Sequence, residues 1–467
     1  MNKLISKNIL LNDKKQPVLY LCSTILLVFI ILRWFFLIDE YSINMLYWDQ
    51  WDFLEAFFAD KGLWELFSWQ HGPHRQGVGF FLTKMVADLS GWNTRVESFV
   101  IGAVVCLAAL TALVLKLRIT QRLSPFDVFI PLIYLTPLQF GLFANTPNVS
   151  HGAMPLLLIT LFCLGWLIKN LVLRYTVCAV INFMTIYTGF GFFLGCITPI
   201  LFLSELYLAW KRKRTRDLVL ALTFFLVALA SMLSYFIDYT FHPAANGFVF
   251  PHPYPFMYIQ YILITFASFC GIRGSNIVLY FVGAPVVGFM LYLIVQAGMN
   301  IIHYPAEVSK KRNDKPSTAN IAIDQIILVL ITFTLVFTLN LSVGRVCLGL
   351  GSATSSRYQT YLIPVFFALY LFAVTRRKVP LRGIAFCLLC FFVTTFSVGT
   401  NATTYFQDIY HGKQRWKEAY LQTEDIYLSN RLSKFAIHPN PSHTELKRKL
   451  DYLKEHRLNL YLDKPEN

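Results

Sequence analysis

The stretch from Asp39 to Arg75 sets acids, histidines and an arginine among tryptophans, between two long apolar blocks. Asp49 and Asp52 lie three residues apart in YWDQWDF, a spacing that places both carboxylates on one face of a helix. Two carboxylates beside aromatic rings suit general-base catalysis, in which one acid is oriented by hydrogen bonds to the other. Trp48 and Trp51 offer apolar platforms for the C–H faces of a sugar. The alternative is an interfacial loop, where tryptophans are common and acids are solvated.

Two further groups of polar side chains belong to the same stretch. Asp39 and Glu40, at the end of the first apolar block, form a second candidate pair for the base. The segment HGPHRQ carries His71, His74 and Arg75, which suit the binding of a phosphate or a sugar hydroxyl. An H-x-x-H spacing also occurs at metal sites, but no cysteine or second cluster supports zinc, so no metal ligand is assigned and a divalent ion stays open. The alternative for this segment is a polar turn.

A third group comes late in the chain and consists of Arg345, Ser355, Ser356, Arg357 and Tyr358. Guanidinium groups bind phosphate oxygens through paired hydrogen bonds, and serine hydroxyls add to such a site. If this segment opens the next helix, the helix N-terminus contributes partial positive charge. We therefore predict a phosphate site here. The alternative is that the arginines reach toward lipid headgroups.

The elements that must position these residues are membrane spans. The chain has 467 residues, of which 56% are hydrophobic and 14% charged, whereas soluble domains carry roughly 25% charged residues. Apolar blocks of about 20 residues fit the thickness of a bilayer, and spans of this kind are helical. The net charge of +15 comes from short clusters between these blocks. Such clusters are typical of cytoplasmic loops and exclude a nucleic-acid-binding surface.

We predict an all-α polytopic membrane protein with about eleven spans. The predicted spans are 17–37, 97–117, 126–144, 152–168, two short helices within 175–210, 217–237, 275–297, 322–341, 359–375 and 383–400. This order places the N-terminus inside, and places outside both the loop 38–96 and a helical tail. Helices lying in the interface are expected near 50–68 and 77–89. Residues 1–400 would form the transmembrane domain and 401–467 the tail.

Most of the nine cysteines lie inside apolar blocks, where they serve packing. Cys270 and Cys347 fall near loops predicted to lie outside. A disulfide between these two is left open, because sequence does not show proximity.

The acidic outer loop after the first span, the many spans and the outer tail resemble the GT-C superfamily of integral-membrane glycosyltransferases. The segments WDQWDF, HGPHR, GR…SATSSRY and LKEHRLNLYL are similar to those of bacterial serotype-converting O-antigen glucosyltransferases. The resemblance implies a polyprenyl-phosphate sugar as donor, a surface glycan as acceptor and an inverting transfer. It places the base at Asp49, Asp52 or Glu40. The D-x-x-D spacing departs from the family's D-x-D, which leaves the identity of the base and any metal dependence open.

The resemblance also implies a bacterial inner membrane, a periplasmic active site and no cofactor. A flippase and a donor-synthesising transferase would act as partners. The expected sugar is a hexose such as glucose. Two alternative functions stay open. The first is an O-antigen polymerase, whose large catalytic loop usually lies late in the chain, whereas the acidic loop here follows the first span. The second is a transporter or flippase, which would have ionisable residues inside its spans.

Overall fold

The computed structural model describes residues 16–59, 61–144, 148–241, 247–272, 276–310, 318–376, 383 and 402–462. Within these ranges the regular secondary structure is helical apart from one two-stranded ribbon. The helices before residue 200 are α1 Gln16–Tyr41, α2 Gln50–Phe53, α3 Glu55–Phe58, α4 Leu63–Ser68, α5 Gly77–Ser90, α6 Thr94–Thr120, α7 Phe129–Tyr134, α8 Ala153–Gly165, α9 Leu171–Ile186 and α10 Phe192–Lys211. The later helices are α11 Thr215–Ser234, α12 Phe256–Phe269, α13 Asn276–Lys310, α14 Thr318–Arg345, α15 Ile363–Thr375, α16 Ala402–Thr423, α17 Ile426–Ser433 and α18 Leu446–Glu455. The ribbon pairs β1 Gln70–His71 with β2 His74–Arg75 in antiparallel register.

Eight helical segments in the described ranges are long and apolar enough to cross a membrane. They are Tyr20–Tyr41, Thr94–Thr120, Pro125–Leu142, Phe192–Lys211, Thr215–Ser234, Ile277–His303, Ile321–Leu348 and Ser356–Thr375. Three shorter apolar helices, α8, α9 and α12, accompany them. The prediction of a helical, polytopic architecture is consistent with this set. The number of eleven spans stays a prediction, and 383–400 lies outside the described residues apart from residue 383.

The apolar segments differ in how much of their own surface is buried against the rest of the protein. The segment Ser356–Thr375, which contains α15, is 89% buried in its most apolar stretch, whereas α11 is only 11% buried. The first segment therefore lies at the centre of the bundle and α11 at its rim. Apolar side chains left exposed along a rim helix are suited to contact with lipid.

Two local breaks shape the bundle. The predicted span 126–144 is not one regular helix, because the helix α7 ends before Thr136 and a 3-10 segment, Pro137–Leu142, follows. Pro137 has no N–H to continue the helical hydrogen bonds, and the Thr136 hydroxyl accepts from the backbone of the new segment. The predicted break within 175–210 is confirmed, since α9 and α10 meet at a turn in which Gly189 has a φ of +54°.

The tail and the first loop share a hydrophobic core of their own. Trp51, Leu54 and Phe80 from the loop pack in one cluster with Trp416 and Leu450 from the tail. The predicted helix at 77–89 is present as α5, whereas the region 50–68 forms three short helices. Short helices of this kind depend on packing rather than on their own stability.

Cys270 and Cys347 both carry free thiols. The disulfide that the sequence left open is therefore not formed in this structure.

Candidate functional site

A cavity of about 60 Å³ lies where the first loop meets three later segments of the chain, around 141–151, Phe190 and 357–361. By the volume one water needs, it has room for roughly four to six waters, which is also enough for a phosphate group. The residues that line it are Asp49, Phe53, His71, Gly141, Leu142, Asn148, His151, Phe190, Arg357, Tyr358 and Tyr361. Four regions distant in sequence thus contribute to the cavity, which has both charged and aromatic side chains in its wall.

Asp49 and Arg357 face each other at this cavity. Nη1 of Arg357 donates to Oδ2 of Asp49 at 2.9 Å, although the residues are 308 positions apart. The side chains are 41% exposed for Asp49 and 49% exposed for Arg357. The pair is therefore accessible, and solvent weakens its attraction. The fold thus brings together a carboxylate from the first loop and a guanidinium from the late segment.

Asp52 has different partners, all in the tail. Its carboxylate lies 3.2 Å from Nε2 of His438 and accepts from the Thr444 hydroxyl at 2.6 Å. Burial alone would raise the pKa of Asp52, but the hydrogen bonds from His438 and Thr444 and the charge of Lys449 hold it below its usual value. The expectation that the two aspartates act as one pair is therefore not supported. Asp49 is the acid that reaches the cavity.

The other candidate acids lie at the end of α1. Asp39 forms an exposed ion pair with Arg95, and Glu40 is exposed beside it. Neither is among the residues that line the cavity, within the described part of the chain. Asp49 is accordingly the acid best placed to act as a base.

The ribbon places His71 and His74 directly opposite each other, because Gly72 and Pro73 form the turn between them. Gly72 adopts a φ of +55°, a left-handed conformation that glycine tolerates. The H-x-x-H segment thus forms a tight hairpin, and its predicted role in binding stays a prediction. His71 lines the cavity, while the ring of His74 lies 3.9 Å from that of Phe190.

His151 is the cavity histidine that the sequence analysis did not single out. Its ring lies 5.3 Å from that of His74, and its Nε2 lies 3.5 Å from Nε2 of Gln76. Burial lowers the pKa of His151 to about 3, and the charges of His71 and Arg357 act in the same direction. The side chain is therefore neutral at physiological pH.

His74 is neutral for the same reasons. Burial lowers its pKa well below the usual value, and His151, His71 and Arg345 add to the effect. Arg345 ends α14 and is half-buried. Arg345 is not among the residues that line the cavity, within the described part of the chain. Neutral histidines beside two arginines create an environment that favours an anion.

The remaining predicted phosphate ligands flank Arg357. Tyr358 lines the cavity and is 7% exposed. Ser356 lies against Gly141, where an added Cβ would come within 2.4 Å of its Oγ. The carbonyl of Ser355 accepts from the Gln359 side chain at 3.3 Å. The late segment is thus packed tightly on the cavity wall, with Arg357 as its charged group.

Arg75 was predicted to bind substrate, and the structure places it elsewhere. It is 2% exposed, and its Nε donates to the Tyr235 carbonyl at 2.9 Å. Its two terminal nitrogens donate to the carbonyls of Ser68 and Ile237. Its guanidinium also lies 5.4 Å from the centre of the Tyr235 ring and 5.6 Å from that of Tyr187. All three guanidinium nitrogens thus donate to backbone carbonyls, so Arg75 joins loop segments rather than contacting a ligand.

The two tryptophans beside Asp49 also differ. Trp48 is 37% exposed, whereas Trp51 is fully buried in the core shared with the tail. Trp51 therefore has no face left for a sugar, and of the two predicted platforms only Trp48 is exposed.

Asn148 and Phe190 also line the cavity and were not predicted from the sequence. Asn148 and His151 belong to NTPNVSHG, a turn between two apolar blocks, and Asn148 donates to Gln76 at 3.4 Å. The available signal was the His151–Gly152 pair in a polar segment between two apolar blocks. Phe190 stands between two glycines in a turn that was recognised only as a helix break.

Among the described residues, no group of three or more His, Cys, Asp or Glu side chains is arranged to hold a metal ion. Whether the chain uses a divalent metal stays open. Comparison of the chain with protein-family models, with curated proteins and with solved structures found no match.

Proposed function

We propose that this chain is a membrane glycosyltransferase of the GT-C type, which moves a hexose such as glucose from a polyprenyl-phosphate donor to a hydroxyl of a surface glycan. The observation that carries the proposal is the Asp49–Arg357 contact at a cavity with aromatic walls. An acid and a fixed cation at adjoining positions are what a transfer from a phosphate leaving group needs. The bundle of apolar helices would keep the lipid part of the donor beside the site.

In this reaction the acceptor oxygen forms a bond to the anomeric carbon while the bond from that carbon to the phosphate oxygen breaks. Asp49 accepts the proton of the acceptor hydroxyl, as a general base. The departing oxygen keeps the bonding electrons, and Arg357 stabilises the resulting phosphate charge through paired hydrogen bonds. Attack from the face opposite to the phosphate inverts the anomeric configuration.

The Asp49–Arg357 ion pair would make release of the base follow donor binding. In the absence of donor, Arg357 holds the carboxylate of Asp49 at 2.9 Å. A phosphate group competes for the same guanidinium, since both ligands use paired oxygen acceptors. Donor binding then releases the carboxylate to accept a proton, so the base becomes available when the leaving group is in place.

The neighbouring side chains support the same use of the cavity. His71 and the neutral His151 supply ring nitrogens for sugar hydroxyls, and Phe53 and Phe190 supply apolar faces. Since the cavity has room for little more than a phosphate group, the sugar would lie at its mouth, beside the exposed Trp48. We place this side in the periplasm of a bacterial inner membrane, because the basic clusters of the chain fall on the other side. A flippase and a donor-synthesising transferase would supply the donor.

The experiment is a transfer assay with purified protein in liposomes that contain polyprenyl-phosphate glucose and a glycan acceptor. We expect Asp49→Asn to lower kcat by about 10²–10⁴-fold, the usual contribution of a general base. Arg357→Ala should abolish transfer, and Arg357→Lys should restore only part of it, because an ammonium does not provide the paired geometry.

Asp39→Asn is the matched control, since Asp39 is also an exposed acid paired with an arginine on the first loop. It should retain the wild-type rate. Wild-type transfer by both Asp49→Asn and Arg357→Ala, at equal protein levels, would refute the proposal.

A further inference from the structure

We propose that the C-terminal tail positions the base: His438 and Thr444 hold Asp52, and through the single turn α2 they keep Asp49 opposite Arg357. This inference rests on the proposed function, because it concerns the placement of the proposed base. It assigns to the tail a direct part in the geometry of the site.

The turn that carries Asp49 has little stability of its own. Helix α2 has four residues, and the Asp49 carbonyl accepts from the backbone of Asp52 at 3.1 Å and of Phe53 at 3.0 Å. Isolated helices of this length do not persist in water, because nucleation costs more than one turn returns. Contacts from outside must therefore fix the direction of the Asp49 side chain.

The tail supplies contacts on both sides of Asp49. Before it, the backbone N–H of Trp48 donates to the Ile437 carbonyl at 2.7 Å. After it, Lys449 donates to the carbonyl of Trp51, and Asp52 accepts from the tail through its side chain. The residues that precede and follow the base are thus both bound to the same element.

The hydrogen bonds at Asp52 have a defined polarity. The backbone N–H of Asn440 donates to Nδ1 of His438 at 3.1 Å, so Nδ1 acts as an acceptor and Nε2 carries the ring proton. That Nε2–H then donates to Oδ2 of Asp52. The Thr444 hydroxyl donates to the other carboxylate oxygen at 2.6 Å. Each oxygen of Asp52 has its own donor, which fixes the carboxylate in one orientation.

A second ionic contact holds the neighbouring turn. Glu55, which opens α3, pairs with Lys449 at 2.6 Å and with Arg448 at 2.7 Å. Lys449 is nearly fully buried and also donates to the Thr444 hydroxyl at 3.1 Å. The hydroxyl of Thr444 therefore connects Lys449 with Asp52. Its removal should loosen α2 without removing any group that contacts substrate.

The test uses pairs of variants in the full-length protein. Thr444→Val keeps the shape of the side chain and removes the hydroxyl, while Thr444→Ser keeps the donor. His438→Ala removes the ring, while His438→Gln places an amide N–H near the position of Nε2. His443→Ala, at an exposed position in the same segment, is the control for general damage.

We expect Thr444→Val and His438→Ala to lower kcat by about 10- to 100-fold, the range that a small misplacement of a catalytic group produces. KM for the donor should stay within about twofold, because Arg357 and the cavity are unchanged. Thr444→Ser and His438→Gln should recover most of the rate. Hydrogen exchange at the amides of Phe53 and Leu54, which donate within α2, should be faster in the first two variants only.

The two readouts separate the inference from the proposed function. If the wild type transfers sugar and Thr444→Val and His438→Ala keep its kcat, the positioning role is wrong and the transferase proposal stands. If no protein transfers sugar, the proposed function fails, and unchanged exchange in α2 would overturn the positioning role as well. A rise in KM at constant kcat would also contradict it, because that pattern indicates direct substrate binding.

Discussion

Replacement of Arg75 tests whether this residue joins loop segments or binds substrate. Its three hydrogen bonds go to backbone carbonyls of Tyr235, Ser68 and Ile237. A hydrogen bond from a charged group contributes about 1.5–3 kcal/mol, so three contribute roughly 5–9 kcal/mol before the cost of burial. Burying a guanidinium costs several kcal/mol. We therefore expect Arg75→Met to lower the free energy of unfolding by about 2–4 kcal/mol.

Arg75→Lys should be intermediate, because an ammonium does not reach three carbonyls with the spread of a planar fork. The measurement is thermal unfolding in detergent, together with KM and kcat of the protein that remains folded. Arg95→Ala is the matched control: its ion pair with Asp39 is exposed, and such pairs contribute at most about 1 kcal/mol. Unchanged stability of Arg75→Met, combined with a raised KM for the donor, would refute the reasoning and restore the role in substrate binding.

Three further predictions follow from burial and packing. Burial lowers the pKa of Lys413 to about 7; the unfolded chain then binds more protons above that pH, so unfolding temperature should rise from about pH 7 to 9, and Lys413→Met should abolish the rise. Gly79→Ala would place a Cβ 2.6 Å from Cα of Ser150. It should therefore lower the free energy of unfolding by about 1–3 kcal/mol, measured by thermal unfolding, and should also lower kcat for transfer. Trp51→Ala should lower the free energy of unfolding by about 3–5 kcal/mol. Trp48→Ala should leave that free energy unchanged and raise the KM for a substrate by up to about tenfold.

The sequence predicted the chemical types at the site better than their partners. Acids in the first loop and arginines in the late segment were recognised, and Asp49 does meet Arg357. The division of labour between Asp49 and Asp52 was not predictable, because both are aspartates on one short turn. Only the packing of the tail, which supplies His438 and Thr444, distinguishes them.

The partners of Arg75 were also not predictable from the sequence. An arginine after two histidines suggests a ligand site, but its partners are backbone carbonyls, which have no signature in a sequence. His151 was overlooked for the converse reason. It stands alone among Asn, Ser and Gly in the sequence, and only the fold brings His74 and Arg357 near it.

The helical architecture was easier to predict, because apolar blocks and basic clusters alternate along the chain. Gly189 was recognised as a break, since a glycine between two apolar runs permits a left-handed turn. The break at Pro137 was missed because the apolar composition continues across it. Hydropathy reports the environment of a segment, whereas the course of its backbone depends on single residues such as Thr136 and Pro137.

The short helices α8 and α9 have a consequence for the depth of the cavity. They contain 13 and 16 residues, and at a rise of 1.5 Å per residue they are about 20 and 24 Å long. A hydrocarbon core is about 30 Å thick. The His151 and Phe190 turns adjoin the ends of these helices, opposite the connection that carries Lys169. If that connection sits at one membrane surface, the floor of the cavity lies about 6–10 Å below the other. A phosphate drawn to that floor would leave the plane of its neighbouring headgroups and lose much of its water before any bond changes.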